Sequence, residues 1–242
     1  MARRLGNVRL VTFDLFNTLY TPRDAVELTY ARPLRRLGIQ VDDAQVRRAF
    51  GQALAHMRAQ HPNYGHGRMS SREWWRQVVS RTWHNAGVPR ERLDSAELRA
   101  AREELIDGFG LATAYRMYDE VPRVLGYLRR RGVKMGVVSN MDESGEMALG
   151  HLGIRGYFDF VLRSAVAGVE KPDPRIFEMA LNAAAVPPYD ALHVGDSEPM
   201  DYDAARRLGM EARLVTRGID PARLAAHPDK HIADLGALLD LV

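Results

Sequence analysis

Val8-Arg9-Leu10-Val11-Thr12-Phe13-Asp14-Leu15-Phe16-Asn17-Thr18-Leu19 is the stretch whose reading decides the fold. The apolar, β-branched run from Val8 to Phe13 predicts a buried strand, ending in an acid and a turn-forming Asn17. A carboxylate at the C-terminal end of a strand in an open α/β sheet sits where such folds bind ligands. Taken alone, the same residues describe a strand closed by an ordinary Asp/Asn turn. Three further polar stations, each following its own apolar run, favour the first description.

Downstream, residues 21–115 are helix-patterned. Ala25–Leu37 stops at Gly38, and Asp42–Gln60 is followed by a predicted loop, His61-Pro62-Asn63-Tyr64-Gly65-His66-Gly67. Ser70-Ser71-Arg72-Glu73 has the form of a capping box and opens a helix over Trp74–Ala86; a fourth helix runs from Arg92 to Phe109. From Asp119 helices and strands alternate. Helices are expected over Asp119–Arg131, Asp142–Leu152, Pro174–Ala185 and Asp201–Leu208, with strands over Val133–Val138, Asp159–Leu162, Ala191–Val194 and Ala212–Thr216. A last short strand near His231 and a helix from Asp234 close the chain. This alternation predicts a parallel sheet covered on both faces, joined by the first strand, which has no other partner. The expected fold is therefore α/β, with a helical block of residues 21–115 inserted into a core of 1–20 and 116–242.

Composition sets bounds. The chain has 242 residues, 46% hydrophobic and 27% charged, with a net charge of +3. No apolar run approaches the ~20 residues that span a bilayer. The basic start Met1-Ala2-Arg3-Arg4 leads into a strand rather than the apolar stretch of a signal peptide, so a cytoplasmic location is expected. Without cysteine, thiol catalysis and thiolate metal sites are excluded. The basic residues are scattered among acids, which argues against nucleic acid as a partner. Nearly all are arginine; the lysines are Lys134, Lys171 and Lys230. In such a chain a lysine marks a need for a compact ammonium, and Lys171 lies in a Pro-bounded loop, Glu170-Lys171-Pro172-Asp173-Pro174.

The second station is Ser139-Asn140, a hydroxyl before a helix N-terminus, where free N–H groups favour an anion. Asp142 is the expected N-cap of that helix. Lys171 is the third. The fourth is Gly195-Asp196-Ser197-Glu198-Pro199-Met200-Asp201; with Asp14, its acids make an all-oxygen site that suits Mg²⁺ rather than Zn²⁺. His193 is expected to be a core or edge histidine. Trp74, Trp75, Trp83 and Tyr64, at helical spacing, are expected chiefly in the core of the helical block.

The order acid, hydroxyl, lysine, then Gly-Asp-x4-Asp resembles the haloacid dehalogenase-like (HAD) hydrolase superfamily across essentially the whole chain. His61–Gly65, Ser71–Trp75 and Gly168–Phe177 resemble its domain-containing protein 3 branch. The resemblance implies a Rossmann-like core with a C1-type helical cap. It makes Asp14 a nucleophile forming an aspartyl-phosphate, and sets Ser139 and Lys171 on the transferring oxygens, with Thr18 and Asn140 beside the substrate. Mg²⁺ would be held by Asp14, the Phe16 carbonyl and Asp196, with Asp201 supporting that shell or orienting Lys171. The implied substrate is a small phosphorylated metabolite.

Phe16 departs from the pattern. Phosphatases of the superfamily carry Asp-x-Asp-x-Thr, the second Asp protonating the leaving alcohol, a contribution of ~10²–10⁴-fold. Asp142, His61 and His66 are candidate substitutes. Two alternatives follow: a metal-independent 2-haloacid dehalogenase, which carries an aromatic residue at this position, and a non-catalytic Mg²⁺- and anion-binding regulator. The retained Gly195–Asp201 pattern ranks phosphoryl hydrolysis first.

Overall fold

Leu10 to Phe13 are buried on both sides, as a parallel sheet requires of a central strand. They form β1 in the computed structural model, which describes residues 5–242; the basic start lies outside these. After β1 come β2 (Tyr20–Pro22), α1 (Val26–Arg36), α2 (Asp43–Gln60), α3 (Ser71–Asn85), α4 (Ala96–Gly108) and β3 (Tyr115–Met117). Then follow α5 (Val121–Arg130), β4 (Lys134–Ser139), α6 (Glu143–His151), β5 (Phe160–Arg163), α7 (Pro174–Ala184), β6 (Ala191–Gly195), α8 (Asp203–Arg207) and β7 (Glu211–Val215). A short α9 (Pro221–Ala226), β8 (His231–Ile232) and α10 (Leu238–Leu241) complete the chain.

The main sheet has six parallel strands in the order β5-β4-β1-β6-β7-β8. Phe13 stands beside Val137 on one neighbour and Val194 on the other. The C-terminal ends of β1, β4 and β6 therefore lie side by side, carrying Asp14, Ser139 and Gly195. Val11 and Phe13 pack on one face with Val124, Leu125 and Leu128 of α5. Leu10 packs on the other with Ile176, Phe177 and Ala180 of α7.

The helices between β2 and β3 bury a core of their own, centred on Tyr30, Leu34, Val79, Trp83 and Leu98. Asp42, Ser70 and Ser95 cap three of them, their side chains accepting from Gln45, Glu73 and Leu98 N–H groups at 2.8, 3.2 and 3.3 Å. Such caps contribute roughly 1 kcal/mol each. The fourth helix starts at Ala96 rather than Arg92, because Ser95 supplies its cap after a short turn over Arg90–Leu93.

The chain enters and leaves the helical block through an antiparallel ribbon of β2 and β3, with Tyr20 beside Met117 and Pro22 beside Tyr115. The expected 20/21 and 115/116 boundaries fall within this ribbon. No helix among the described residues is long and apolar enough to cross a membrane.

Candidate active site

Asp14 continues β1, its N–H donating to Val194 O at 2.9 Å, and the residue is 8% exposed. Lys171, 3% exposed, places its ammonium 2.7 Å from Asp14 Oδ1 and 2.5 Å from Asp201 Oδ1. Burial pulls this ammonium's pKa down, but the Asp14 and Asp201 carboxylates outweigh it and hold the pKa above the ordinary lysine value. Burial pushes Asp201 up, yet Lys171 and His193 hold it well below the usual carboxylate range. Lys171 is thus a buried counter-charge, not a solvated surface lysine.

Asp201 reaches the site because Glu198–Tyr202 forms a single π-helical turn. Such turns are frequent at functional sites. The turn brings the carboxylate back over Gly195, where a Cβ would lie 2.2 Å from Asp201 Cγ. The expected helix from Asp201 is therefore this turn followed by α8. Both Asp201 oxygens are committed: Oδ1 to Lys171 and His193 Nε2 (3.0 Å), Oδ2 to the Ser197 N–H (2.9 Å).

His193 is buried as expected, yet it belongs to this cluster. A carboxylate only accepts, so Nε2 carries the proton, and Nδ1 accepts from Thr12 Oγ1 at 2.8 Å. Burial lowers the His193 pKa, which keeps the ring neutral. Sequence reasoning missed this link. Thr12 and His193 are cross-strand neighbours, but no local pattern says that a turn eight residues on returns to the ring.

Asp14, Asp196 and Asp201 each bring one carboxylate oxygen within 4.8 Å of the others. Asn17 Nδ2 donates to Asp196 Oδ2 at 2.9 Å. Burial raises the Asp196 pKa; Asn17 opposes this, while Asp14 and Asp201 add to it. One oxygen of Asp14 and one of Asp196 are left without a protein donor among the described residues. Crowded carboxylates with free oxygens fit a hard divalent cation such as Mg²⁺.

Ser139 is buried at the end of β4. Asn140 brackets the Lys171 backbone, donating from Nδ2 to its O at 2.9 Å and accepting its N–H at Oδ1 at 2.8 Å. Thr18 is fully buried with its hydroxyl unpartnered among the described residues. Phe16 lies at the ribbon, edge-on to Tyr20 (5.4 Å) and Tyr115 (5.6 Å). Asp142 caps α6 and accepts from Trp75 Nε1 at 2.6 Å. His66 Nδ1 lies 2.7 Å from Ala165 O, while His61 Nδ1 is buried and unpartnered among the described residues.

Beside the carboxylates, a cavity of about 860 Å³ separates the helices from the sheet. Phe16 and Asn140–Asp142 are in its wall, whereas Asp14, Lys171, Asp196 and Asp201 lie beyond it. Trp74 and Trp83 are core residues, but Trp75 and Tyr64 line this cavity.

A parallel α/β sheet with an acid, hydroxyl, lysine and paired acids converging at its C-terminal edge defines a hydrolase of the HAD type. The chain belongs to the haloacid dehalogenase-like hydrolase family, whose match covers residues 8–209. It is 40% identical over 235 residues to haloacid dehalogenase-like hydrolase domain-containing protein 3 of Mus musculus, covering 96% of this chain and 92% of that one. Phosphoserine phosphatase of Thermus thermophilus is 39% identical over 123 residues, half of this chain and 49% of that one. Among solved structures, a HAD phosphatase from Thermococcus onnurineus superposes with a TM-score of 0.65 at 24% identity, over 96% of both chains. A 2-haloacid dehalogenase from Pseudomonas syringae pv. Tomato does so at 0.67 and 25%, over 97% of both.

Proposed function

We propose that the protein is a Mg²⁺-dependent phosphoryl hydrolase of a small phosphorylated metabolite, with Asp14 as nucleophile, residues 21–115 as a cap and the cytoplasm as its setting. The observation that carries this reading is the Lys171 ammonium clamped between Asp14 and Asp201, beside a second acidic residue, Asp196, with a free oxygen. A metal-independent dehalogenase has no use for this extra, half-buried acid; a phosphoryl group and its cation do. Asp14, Asp196 and the Phe16 carbonyl would hold Mg²⁺, with Asp201 behind them, its oxygens already taken. When bound, the ion supplies charge neutralisation for the transferring group. Asp14 attacks phosphorus as the ester P–O bond breaks, and water then hydrolyses the aspartyl-phosphate. Lys171 and Ser139 hold phosphoryl oxygens, Thr18 and Asn140 stand beside them, and Asn140 fixes the Lys171 backbone. Most of the work is positioning and charge stabilisation.

The test is phosphate release from an aryl phosphate with and without Mg²⁺, for wild type and Asp14→Asn. Turnover that needs the metal and disappears in Asp14→Asn is expected. No turnover in wild type would overturn the reading. One observation favours a second: Phe16 offers a phenyl ring where a leaving alcohol needs a proton and a halide does not. Metal-free halide release from a 2-haloacid would establish that alternative.

A further inference from the structure

The cavity beside Asp14 is far larger than a phosphate group and falls within the range of pockets that enclose whole organic ligands. Its wall is aromatic: Phe16, Tyr30, Phe50, Trp75, Phe109 and Tyr115. The rings are fixed. Trp75 is held by Asp142 and stands edge-on to Phe109 at 5.0 Å; Phe16 is wedged against the ribbon tyrosines. Two of the four arginines in the wall are ion-paired and a third is hydrogen-bonded to the backbone. Arg36 is bidentate to Glu104 (2.9 and 2.6 Å), Arg32 pairs with Asp24 at 2.5 Å, and Arg23 donates to the Tyr115 carbonyl. Arg58 is the one lining arginine left without a hydrogen-bond or ion-pair partner among the described residues. Such an aromatic chamber suits a planar ring.

Three proton donors of the cavity wall are committed to other partners. Tyr115 OH donates to Phe109 O at 2.6 Å, Tyr64 OH to Asn140 O at 2.8 Å, and Trp75 Nε1 to Asp142. Asp142 also accepts from the Ser144 N–H at 2.9 Å. Lys171 is bound by two carboxylates, and His193 sits behind Asp201. The Tyr20 and Tyr30 hydroxyls have no hydrogen-bond partner among the described residues; Tyr20 lies outside the cavity wall, Tyr30 stands in it, and burial pushes both phenols well above the ordinary tyrosine value, which makes them poor proton donors.

We infer that the substrate is a phosphate ester of a planar aromatic alcohol, a phenol rather than an aliphatic alcohol, with its ring seated in this chamber. The inference rests on the phosphohydrolase reading above. As Asp14 bonds to phosphorus, the ester P–O bond breaks and its electron pair leaves on the phenolic oxygen. A phenolate, whose conjugate acid has a pKa of ~10, departs without a protein proton and takes one from solvent. An alkoxide is about as basic as hydroxide, conjugate to water of pKa ~15.7, and does not leave so readily.

The experiment compares kcat and KM for phenyl, cyclohexyl and acetyl phosphate with Mg²⁺, in wild type, Phe16→Asp and Trp75→Ala. Acetyl phosphate has a weakly basic leaving group but no ring, which separates leaving-group basicity from ring recognition. In wild type, kcat/KM for phenyl phosphate should exceed that for cyclohexyl phosphate by at least ~100-fold, and Phe16→Asp should narrow the ratio at least ~tenfold by restoring an acid. Trp75→Ala should raise KM for phenyl phosphate about tenfold relative to that for acetyl phosphate. If Phe16→Asp does not fold, the wild-type ratio alone decides. Equal turnover of phenyl and cyclohexyl phosphate, or a wild-type KM for acetyl phosphate as low as that for phenyl phosphate, overturns the inference and leaves the hydrolase reading standing. Release of phosphate from none of the three overturns both.

Discussion

At Gly195 the backbone passes so close to Asp201 that any side chain would strike its carboxylate. Gly195→Ala therefore pushes the carboxylate off Lys171 and His193. Overpacking of this kind costs typically ~1–3 kcal/mol, so a lower Tm together with a loss of activity is expected. A variant with wild-type Tm and turnover would show that the turn absorbs the methyl group. Lys171 provides a sharper test. Lys171→Met leaves two buried carboxylates without their counter-ion, a loss of about 3–5 kcal/mol. Chemical denaturation should register that loss; a destabilisation below about 1 kcal/mol would mean that the pair contributes little net stability. Lys171 was legible because the chain otherwise uses arginine almost throughout, so an ammonium in a Pro-bounded loop stood out. His193 was not legible, since its role depends on the π-helical turn that returns Asp201 to it.

The His61–Gly67 segment shows how an element is set by contacts that the local sequence does not contain. It was expected as a loop, and over Pro62–Gly65 it winds into a tight turn with Asn63 and Tyr64 at φ of 48° and 56°. Non-glycine residues in this left-handed region cost roughly 1–3 kcal/mol each. Three bonds to the sheet side offset that cost: Asn63 Nδ2 to Ser164 O, Tyr64 OH to Asn140 O, and His66 with Ala165 O. Because Asn140 also brackets Lys171, the helical block is tied to the loop that carries the lysine. Tyr64→Phe keeps the ring against Trp74 and loses only the hydroxyl bond, worth about 1 kcal/mol. Hydrogen exchange should then quicken together in residues 61–67 and 164–171; acceleration confined to the first segment would show that the two are not coupled. The β2–β3 ribbon escaped sequence reading for a related reason. Three residues per strand are too few to display a period of two, and the pairing joins segments nearly a hundred residues apart.

Over the whole molecule, the alternation of apolar runs and amphipathic stretches was enough to predict a parallel sheet and an inserted helical block, because each element's period is local. The cavity was not, because it exists only where the block meets the sheet. Trp74 and Trp75 illustrate this: adjacent on α3, they point about 100° apart, and sequence cannot say which one faces the block's core. Charge is also distributed at this scale. Glu103 on α4 accepts from Arg76 at 2.7 and 2.9 Å and from Arg72 at 3.0 Å, cross-linking α3 and α4. The Arg76 guanidinium, then that of Arg72, bring its pKa down to about 2 from an ordinary 4.5. A depressed carboxyl contributes stability that is present above its unfolded pKa and lost as pH falls through the folded one. Wild type should therefore be more stable than Glu103→Gln near pH 7, and the gap should close as pH falls from about 4.5 to about 2. Both partners are about a third exposed, so the gap is small and should shrink in high salt. Thermal melts of the two proteins across that window decide the matter. A gap that stays constant with pH would assign the effect to the hydrogen bonds that an amide cannot reproduce rather than to the charge of Glu103.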